Sequence, residues 1–349
     1  MIEDDLRSAF ARHEALVPPA GPLRAAIDRT VVHRRRRRLR LRLAGTALAV
    51  VAAALVGFTA VGPRPPETGN LLAGPLPTPA GAVNVLLLGV DQAGEGRRAD
   101  SVLLVHVPAD RSRLYLVSLP RDLLVPVPGR GTDKLNASFA IGAGPDGTDL
   151  AGGYRTTRQV VAGLTGVPID AGAVLTYRAT RELTDAVGGV PVCLPAAVRS
   201  VHTERRFRAG CHRLDGAAAV DLLRQRYGLP DGGLDRDRNA GRYAAGLLTR
   251  VREQGGLTNP VLLSRLVTTV GPDLVTDTGQ LSLPALVSAV GNAADVEPAV
   301  VGLPVSHWEQ GPYGFRLDPA LAPGFLTALR TDRLGEWTAA HPRQVTALR

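Results

Sequence analysis

The sequence predicts an α/β domain carried behind a single transmembrane helix. Three observations predict it. Apolar runs at 84–90, 101–107 and 114–119 follow one another with ionic residues at their ends, as strands of one sheet would. Segments of helical period then alternate with short strand-like runs through the rest of the chain. Ahead of both, residues 43–62 (LAGTALAVVAAALVGFTAVG) carry no charge, and their length of about 20 residues spans a bilayer as a helix.

Residues 1–42 read as a cytoplasmic tail. Leu6, Phe10 and Ala11 have helical spacing, and Val17-Pro18-Pro19 ends that segment. Much of the net charge of +9 sits in residues 33–42, HRRRRRLRLR. Such a run suits nucleic acid, but the uncharged stretch directly after it disfavours that partner. Arginines on this side satisfy the positive-inside rule and attract anionic lipid headgroups. A cleaved signal peptide is the competing reading. Against it, about 40 mostly polar residues precede the apolar run, whereas a signal peptide has a short charged region. The expectation is a single-pass type II protein of the cell membrane, with everything after residue 62 outside the cytoplasm. Residues 63–81, rich in Pro and Gly, form a linker.

The main domain is expected over 82–335, with 336–349 as a C-terminal tail. Its first three strands have short connections, which predicts antiparallel neighbours with one polar rim. Strand 114–119 ends in Pro120, which delivers Arg121 to that rim. Residues 142–153 read as a flexible Gly-containing loop. Helix 156–165, strand 169–177, helix 178–187 and strand 190–194 follow, and then helix 217–226. Residues 229–242 (LPDGGLDRDRNAGR) read as a charged loop before helix 243–252. The remainder is read as helices at 261–270, 281–290 and 321–329, with a strand-like run at 299–305. His307, Trp308 and Tyr313 are equally suited to lining a cleft or to packing. Both cysteines, Cys193 and Cys211, fall in the exported part, where disulfides persist, and they are expected to pair.

The chemistry begins in residues 84–101, NVLLLGVDQAGEGRRADS. Asp91 stands at the end of one strand and Asp100 at the head of the next, with Arg97 and Arg98 in the loop. Two carboxylates and two guanidiniums at one sheet end suit Mg²⁺ and a phosphate group. A hairpin loop with solvated charges fits the same stretch. Arg121, Arg224, Arg226 and Arg236 add guanidiniums that grip phosphate oxygens in bidentate fashion. No Gly-x-Ser-x-Gly elbow, no phosphate-binding Gly-x₄-Gly-Lys-Ser/Thr loop and no His/Cys metal spacing is present, so serine or zinc hydrolysis is unsupported. Outside the cytoplasm ATP is not expected, and the phosphate donor becomes a lipid diphosphate.

Five ordered blocks resemble the LytR-CpsA-Psr family of bacterial cell-wall enzymes: NVLLLGVD…RRADSVLLV, LVSLPRDLLVPVP, KLNASFAIG, LTDAVGGVPVCLP and FRAGCHRLDGAAAVDLLRQRYGLPDGGLDRDRN. The cysteine pair and the composition suggest its actinobacterial branch. The resemblance implies an α-β-α sandwich around a central mixed sheet. It implies a Mg²⁺-dependent phosphotransferase that moves a glycopolymer from a polyprenyl-pyrophosphate carrier to a peptidoglycan hydroxyl, making a phosphodiester. It puts Asp91 and Asp100 on the Mg²⁺ carboxylates. It puts Arg98, Arg121, Arg224, Arg226 and Arg236 on the pyrophosphate contacts, with Lys134 and Asn136 in a block lining the same pocket. Asp91, Asp100, Arg98 and Arg121 are the expected catalytic set, and either aspartate is a candidate base. One departure stands out. The family's late block resembles Asp-x-Gly-Arg-x-x-Arg-Gln, and here Gly233, Asp235, Asn239 and Ala240 occupy the Asp, Gly, second Arg and Gln places, with Gly241 next. That change motivates the alternative of a non-catalytic polyprenyl-phosphate or glycan-binding scaffold of wall assembly.

Overall fold

A computed structural model describes residues 79–91, 96–255, 268–271, 274–308 and 313–349. The expected cytoplasmic tail, membrane helix and most of the linker lie outside the described residues, as does most of the expected helix 261–270. No helix among the described residues is long and apolar enough to cross a membrane.

Strands β1 (Val83–Val90), β2 (Ala99–Val107) and β3 (Tyr115–Ser118) form the antiparallel centre of a seven-stranded sheet. In chain order β4 (Leu124–Val127) and β5 (Gly131–Lys134) make a separate hairpin, and β6 (Ala171–Thr176) pairs parallel to β1. The pairs β7 (Val190–Leu194) with β10 (Gly210–Leu214), and β8 (Val198–Arg199) with β9 (Arg206–Phe207), lie apart from the main sheet. Strand β11 (Leu274–Asp277) covers the free edge of β6, and β12 (Ala299–Gly302) runs parallel to β3. A last pair is β13 (Val305–His307) with β14 (Phe315–Leu317), and β15 (Val345–Thr346) closes the β12 edge. The sheet order is β11-β6-β1-β2-β3-β12-β15, with mixed strand directions. Within residues 336–349, expected to be a tail, Val345–Thr346 therefore add an edge strand to the sheet.

Both faces of this sheet are covered. Period-2 alternation sends Leu86, Leu88 and Val90 of β1 into one core and Val83 and Val85 into the other. The first core is closed by α1 (Leu135–Ala143), α2 (Leu150–Thr165), α7 (Ala322–Arg330) and α8 (Leu334–Ala340), through Phe139, Val161, Phe325 and Trp337. The second is closed by α5 (Gly233–Glu253) and α6 (Leu283–Ala293), through Ala245 and Ala289. This is the α-β-α sandwich the resemblance implies. A satellite cluster joins Val190, Val192 and Leu194 of β7 to α4 (Gly216–Arg224), with Tyr243 of α5 packed against them. Between β6 and β7 lies α3 (Tyr177–Ala186).

Side chains start the helices locally. Asp149 accepts from the Gly152 amide, and Asp215 from the Ala218 amide, each satisfying a free N–H of a first turn. Cys193 and Cys211 sit directly opposite in the β7/β10 pair and are bonded, as expected. Two expected loops are partly helical. Residues 142–143 end α1 and 150–153 begin α2, with the expected turn kept at 144–149, and the two helix backbones meet at Gly142 and Gly152. A Cβ on Gly142 would overlap the Gly152 carbonyl oxygen, so these glycines serve close approach rather than flexibility. Residues 233–242 belong to α5, not to a loop.

Candidate active site

One rim of the sheet collects the chemistry, and the strand directions explain why. Strands β1, β3, β6 and β12 end there, and β2, antiparallel to its neighbours, begins there. Asp91 follows the last residue of β1, Asp100 is the second residue of β2, Arg121 comes just after β3, and Tyr177 follows β6. The C-terminal strand ends of open α/β sheets are where ligands bind. The β4–β5 hairpin pairs Leu124 with Lys134 and so returns Lys134 to Asp122. A bridge from Leu123 to Phe315 brings Tyr313 to the same place.

Asp100 is the hub. Its Oδ1 accepts from Arg121 Nη1 and lies 3.9 Å from Arg236 Nη1, and its Oδ2 accepts from the Tyr177 hydroxyl. Burial and the Asp100 charge push the Tyr177 phenol well above its ordinary range, so at neutral pH it remains a donor. Arg236 is only 3% exposed, and a second carboxylate, Asp237, takes its Nη2 at 3.1 Å. Burial outweighs that guanidinium and raises the Asp237 carboxyl from 3.8 to about 6. Charged groups this deep persist only when paired.

Asp91 differs from Asp100. Its Oδ1 is buried and has no hydrogen-bond partner among the described residues. Burial first, and then the Asp100 charge, raise its proton affinity, while the Arg98 backbone N–H and the Arg97 and Arg121 charges pull the other way. An orphaned carboxylate oxygen beside a second carboxylate fits a divalent cation completed by ligand oxygens. Among the described residues no group of three or more His, Cys, Asp or Glu is placed to hold a metal alone. Arg97 is turned away from the opening, donating to the Asp91 carbonyl at 3.0 Å and the Gly147 carbonyl at 3.1 Å.

Outward from this hub lies a cavity of about 440 Å³ lined by Arg98, Arg121, Asp122, Lys134, Arg226, Tyr227, Gly232, Gly233 and Tyr313. Lys134 Nζ pairs with Asp122 Oδ1 at 3.1 Å. Arg98 is exposed and Arg226 half-buried, and among the described residues neither pairs with a carboxylate, Arg226 instead donating to the Tyr227 hydroxyl. The expected residues thus sort into layers. Arg98, Arg121, Lys134 and Arg226 form the wall, and Asp91, Asp100 and Arg236 lie at the rim beneath. Arg224 is exposed, with its guanidinium 5.5 Å from the Tyr177 ring centre. Asn136 is not on the wall. It is fully buried, and its backbone N–H donates to the Arg121 carbonyl at 3.0 Å, tying the start of α1 to Arg121. Tyr177, Asp122, Asp237 and Tyr227 are site residues that the sequence reading passed over. Only Tyr313 of the aromatic residues named there reaches the pocket.

The altered late stretch faces inward. Asn239 accepts from Arg242 Nη1 at 2.9 Å, Ala240 is buried, and Gly241 lies against Val300 of β12. Asp231 and Asp235 both pair with Arg238, at 2.6 Å each, and so do not replace a pocket carboxylate. Asp122 and Asp237 stand beside the arginines instead.

Comparison with known proteins agrees with this architecture. The model of the LytR_cpsA_psr family matches residues 68–326. Cell wall biosynthesis protein LcpA of Corynebacterium glutamicum is 30% identical over 235 residues, covering 57% of this chain and 45% of that protein. Polyisoprenyl-teichoic acid–peptidoglycan teichoic acid transferase TagU of Oceanobacillus iheyensis is 41% identical over 73 residues, covering 20% of this chain and 23% of that protein. The chain therefore spans less than half the length of these relatives. Among solved structures, TagV of B. subtilis superposes with a TM-score of 0.59 at 18% identity, covering 73% of this chain and 98% of that one, a likeness of fold. With the family match running from ahead of β1 into α7, and the rim built from the blocks that carried the resemblance, the chain belongs to the LytR-CpsA-Psr family.

Proposed function

We propose that this protein transfers a glycopolymer from a polyprenyl-pyrophosphate carrier to a peptidoglycan hydroxyl, from outside the cytoplasm and anchored by residues 43–62. The observation that carries the reading is a buried Asp91 oxygen, without a hydrogen-bond partner among the described residues, on the same sheet rim as a pocket walled by Arg98, Arg121, Lys134 and Arg226. The name of the TagU relative, a polyisoprenyl-teichoic acid–peptidoglycan transferase, supports the substrate class.

The pyrophosphate lies against the cationic wall, where Arg98 and Arg226 take its non-bridging oxygens. Arg121 and Arg236, held by Asp100 and Asp237, keep a fixed positive field behind it, so little reorganisation is needed as charge shifts to the leaving group. Asp91 and Asp100 would hold Mg²⁺, which when bound supplies neutralisation of the pyrophosphate charge. The acceptor hydroxyl oxygen bonds to the sugar-side phosphorus, and the bond to the bridging oxygen breaks. Polyprenyl phosphate leaves, and the hydroxyl proton passes to a carboxylate of the rim.

The test is release of polyprenyl phosphate by the full-length chain, given a short lipid-pyrophosphate glycan and a peptidoglycan fragment, with Mg²⁺ or with a chelator. Turnover is expected only with Mg²⁺. Asp91→Ala, Asp100→Ala and Arg121→Ala each lower it roughly 100-fold or more. Wild-type turnover in all three variants overturns the reading, and tight binding without any cleavage would return the chain to the scaffold alternative.

A further inference from the structure

The stretch that departs from the family block takes no part in the pocket of Arg98 and Arg121, but it leads into the wall of another. A second cavity, of about 380 Å³, opens at the ends of β3 and β12, between α5 and the C-terminal segment that carries β15. The two cavities share no lining residue. Residues 343–346 form one side of the second, and they lie beyond the family match at 68–326.

Arg242 gives this cavity its character. It lines the cavity and is only 8% exposed. Its Nε donates to the Ala347 carbonyl at 3.1 Å, and its Nη1 to Asn239 Oδ1 at 2.9 Å. Both acceptors are neutral, and among the described residues no carboxylate pairs with Arg242. Asp235, whose charge reaches it, is engaged by Arg238 at 2.6 Å. A buried guanidinium that is hydrogen-bonded but unbalanced in charge is costly until an anion joins it. Asn239 thus orients Arg242 and leaves its charge to a ligand. Arg343, exposed on the facing segment, adds a second cation that pairs with no carboxylate among the described residues.

The rest of the wall narrows the class of anion. Asp237 also lines the cavity, with its Oδ1 on Arg236. A dianion such as a phosphate monoester would meet repulsion from that carboxylate, whereas a monoanion is balanced by Arg242 alone. Leu303, Val305 and Val345 give the cavity an apolar side. A carboxylate matches the planar fork of a guanidinium, and a short aliphatic group beside it would cover that side. A peptide C-terminus ending in a small residue such as alanine has both.

We infer that the cavity between α5, β12 and the C-terminal segment binds a peptide C-terminal carboxylate, held by Arg242 with Arg343. The peptide is a stem peptide of the wall or the end of a protein chain, and the same chemistry serves both. The site stands apart from the pyrophosphate pocket, so neither reading depends on the other.

The test titrates the full-length protein by calorimetry with four probes: N-acetyl-D-Ala-D-Ala, its L,L isomer, the D,D peptide amidated at its C-terminus, and dimethyl phosphate. The wild-type chain is expected to bind a free-carboxylate dipeptide at least roughly 10-fold more tightly than the amide or dimethyl phosphate. Arg242→Gln lowers that affinity about 10-fold or more. Asn239→Asp gives Arg242 a carboxylate of its own. It is expected to weaken binding to the same extent while keeping or raising the melting temperature, which a merely disrupted fold would not do. Tighter binding of the D,D isomer assigns the site to a wall peptide, and tighter binding of the L,L isomer to a protein C-terminus. No binding of either dipeptide, equal binding of the amide or of dimethyl phosphate, or an unchanged affinity in either variant overturns the inference. A lowered melting temperature in Asn239→Asp overturns it as well, because the Arg242 charge would then lack no partner.

Discussion

Tyr177 sets how Asp100 is presented. Asp100 Oδ1 is shared by Arg121 and Arg236, so the Tyr177 hydroxyl is what fixes the remaining oxygen. A hydrogen bond to a charged group contributes about 1.5–3 kcal/mol. Tyr177→Phe keeps the ring beneath Arg224 but frees that oxygen. Turnover is expected to fall about 10-fold or more, with a changed Mg²⁺ concentration for half-activation. An unchanged Mg²⁺ titration and rate would show that Tyr177 only packs. The residues legible in the sequence were those whose place follows from their own strand: Asp91, Asp100 and Arg121 each stand at the end of a recognisable apolar run. Tyr177 was not legible, because a tyrosine opening a helix looks like packing. Only the parallel pairing of β6 with β1, between segments far apart in the chain, carries it to the rim. Asp122 and Asp237 were hidden for a related reason. Each sits next to an arginine in sequence and reads as a solvated charge, and only their burial, at about the same 5% exposure, shows otherwise.

Helix α5 shows how element boundaries mislead. Three glycines, a proline and a run of alternating charges at 229–242 give a loop signature, yet the helix starts at Gly233. Tertiary packing overrides local propensity there. Arg238 reaches back to Asp235 and Asp231, and the opposite face buries Asn239, Ala240, Gly241 and Ala245 on the sheet and its edge. The stretch 239–241 therefore departs from the family block in its packing layer rather than on the pocket wall. Gly241 is the tightest point, where a Cβ would overlap Val300 Cγ1 of β12. Gly241→Ala gains helix propensity but overpacks this seam. The overpacking term, about 1–3 kcal/mol, exceeds the propensity gain of about 1 kcal/mol. A lowered melting temperature is expected, with Asp100 and the pocket wall intact. A melting temperature at or above wild type would mean that α5 lifts from the sheet without cost.

At the scale of the whole molecule, the α/β class and the antiparallel β1–β2–β3 centre were legible because strand-length apolar runs joined by short turns leave little choice. The edges were not: β15 is two residues long, and only its pairing with β12 marks the C-terminal segment as part of the sheet. The same sheet buries a cluster of ionic groups at its rim, and the stability of the fold should report on it. The Asp237 carboxyl is raised from 3.8 to about 6, chiefly by burial, against the pull of Arg236. Between those values the folded chain keeps a proton that the unfolded chain has released. The contribution is complete below about pH 4 and is lost as pH rises through about 6, because stability falls with pH wherever the native state binds more protons. Asp91, raised by burial and by Asp100, acts in the same sense. Denaturant unfolding of the wild-type chain between about pH 4 and 6 should then show a term that falls with pH. In Asp237→Asn, whose amide mimics the protonated carboxyl, that slope should flatten. An identical slope in the variant would mean that Asp237 is already ionised throughout the range and that Arg236, not burial, governs it. Mg²⁺ provides the converse measurement. Its binding needs ionised carboxylates, so its stabilising effect on the wild-type chain should grow as pH rises through the range in which Asp91 loses its proton.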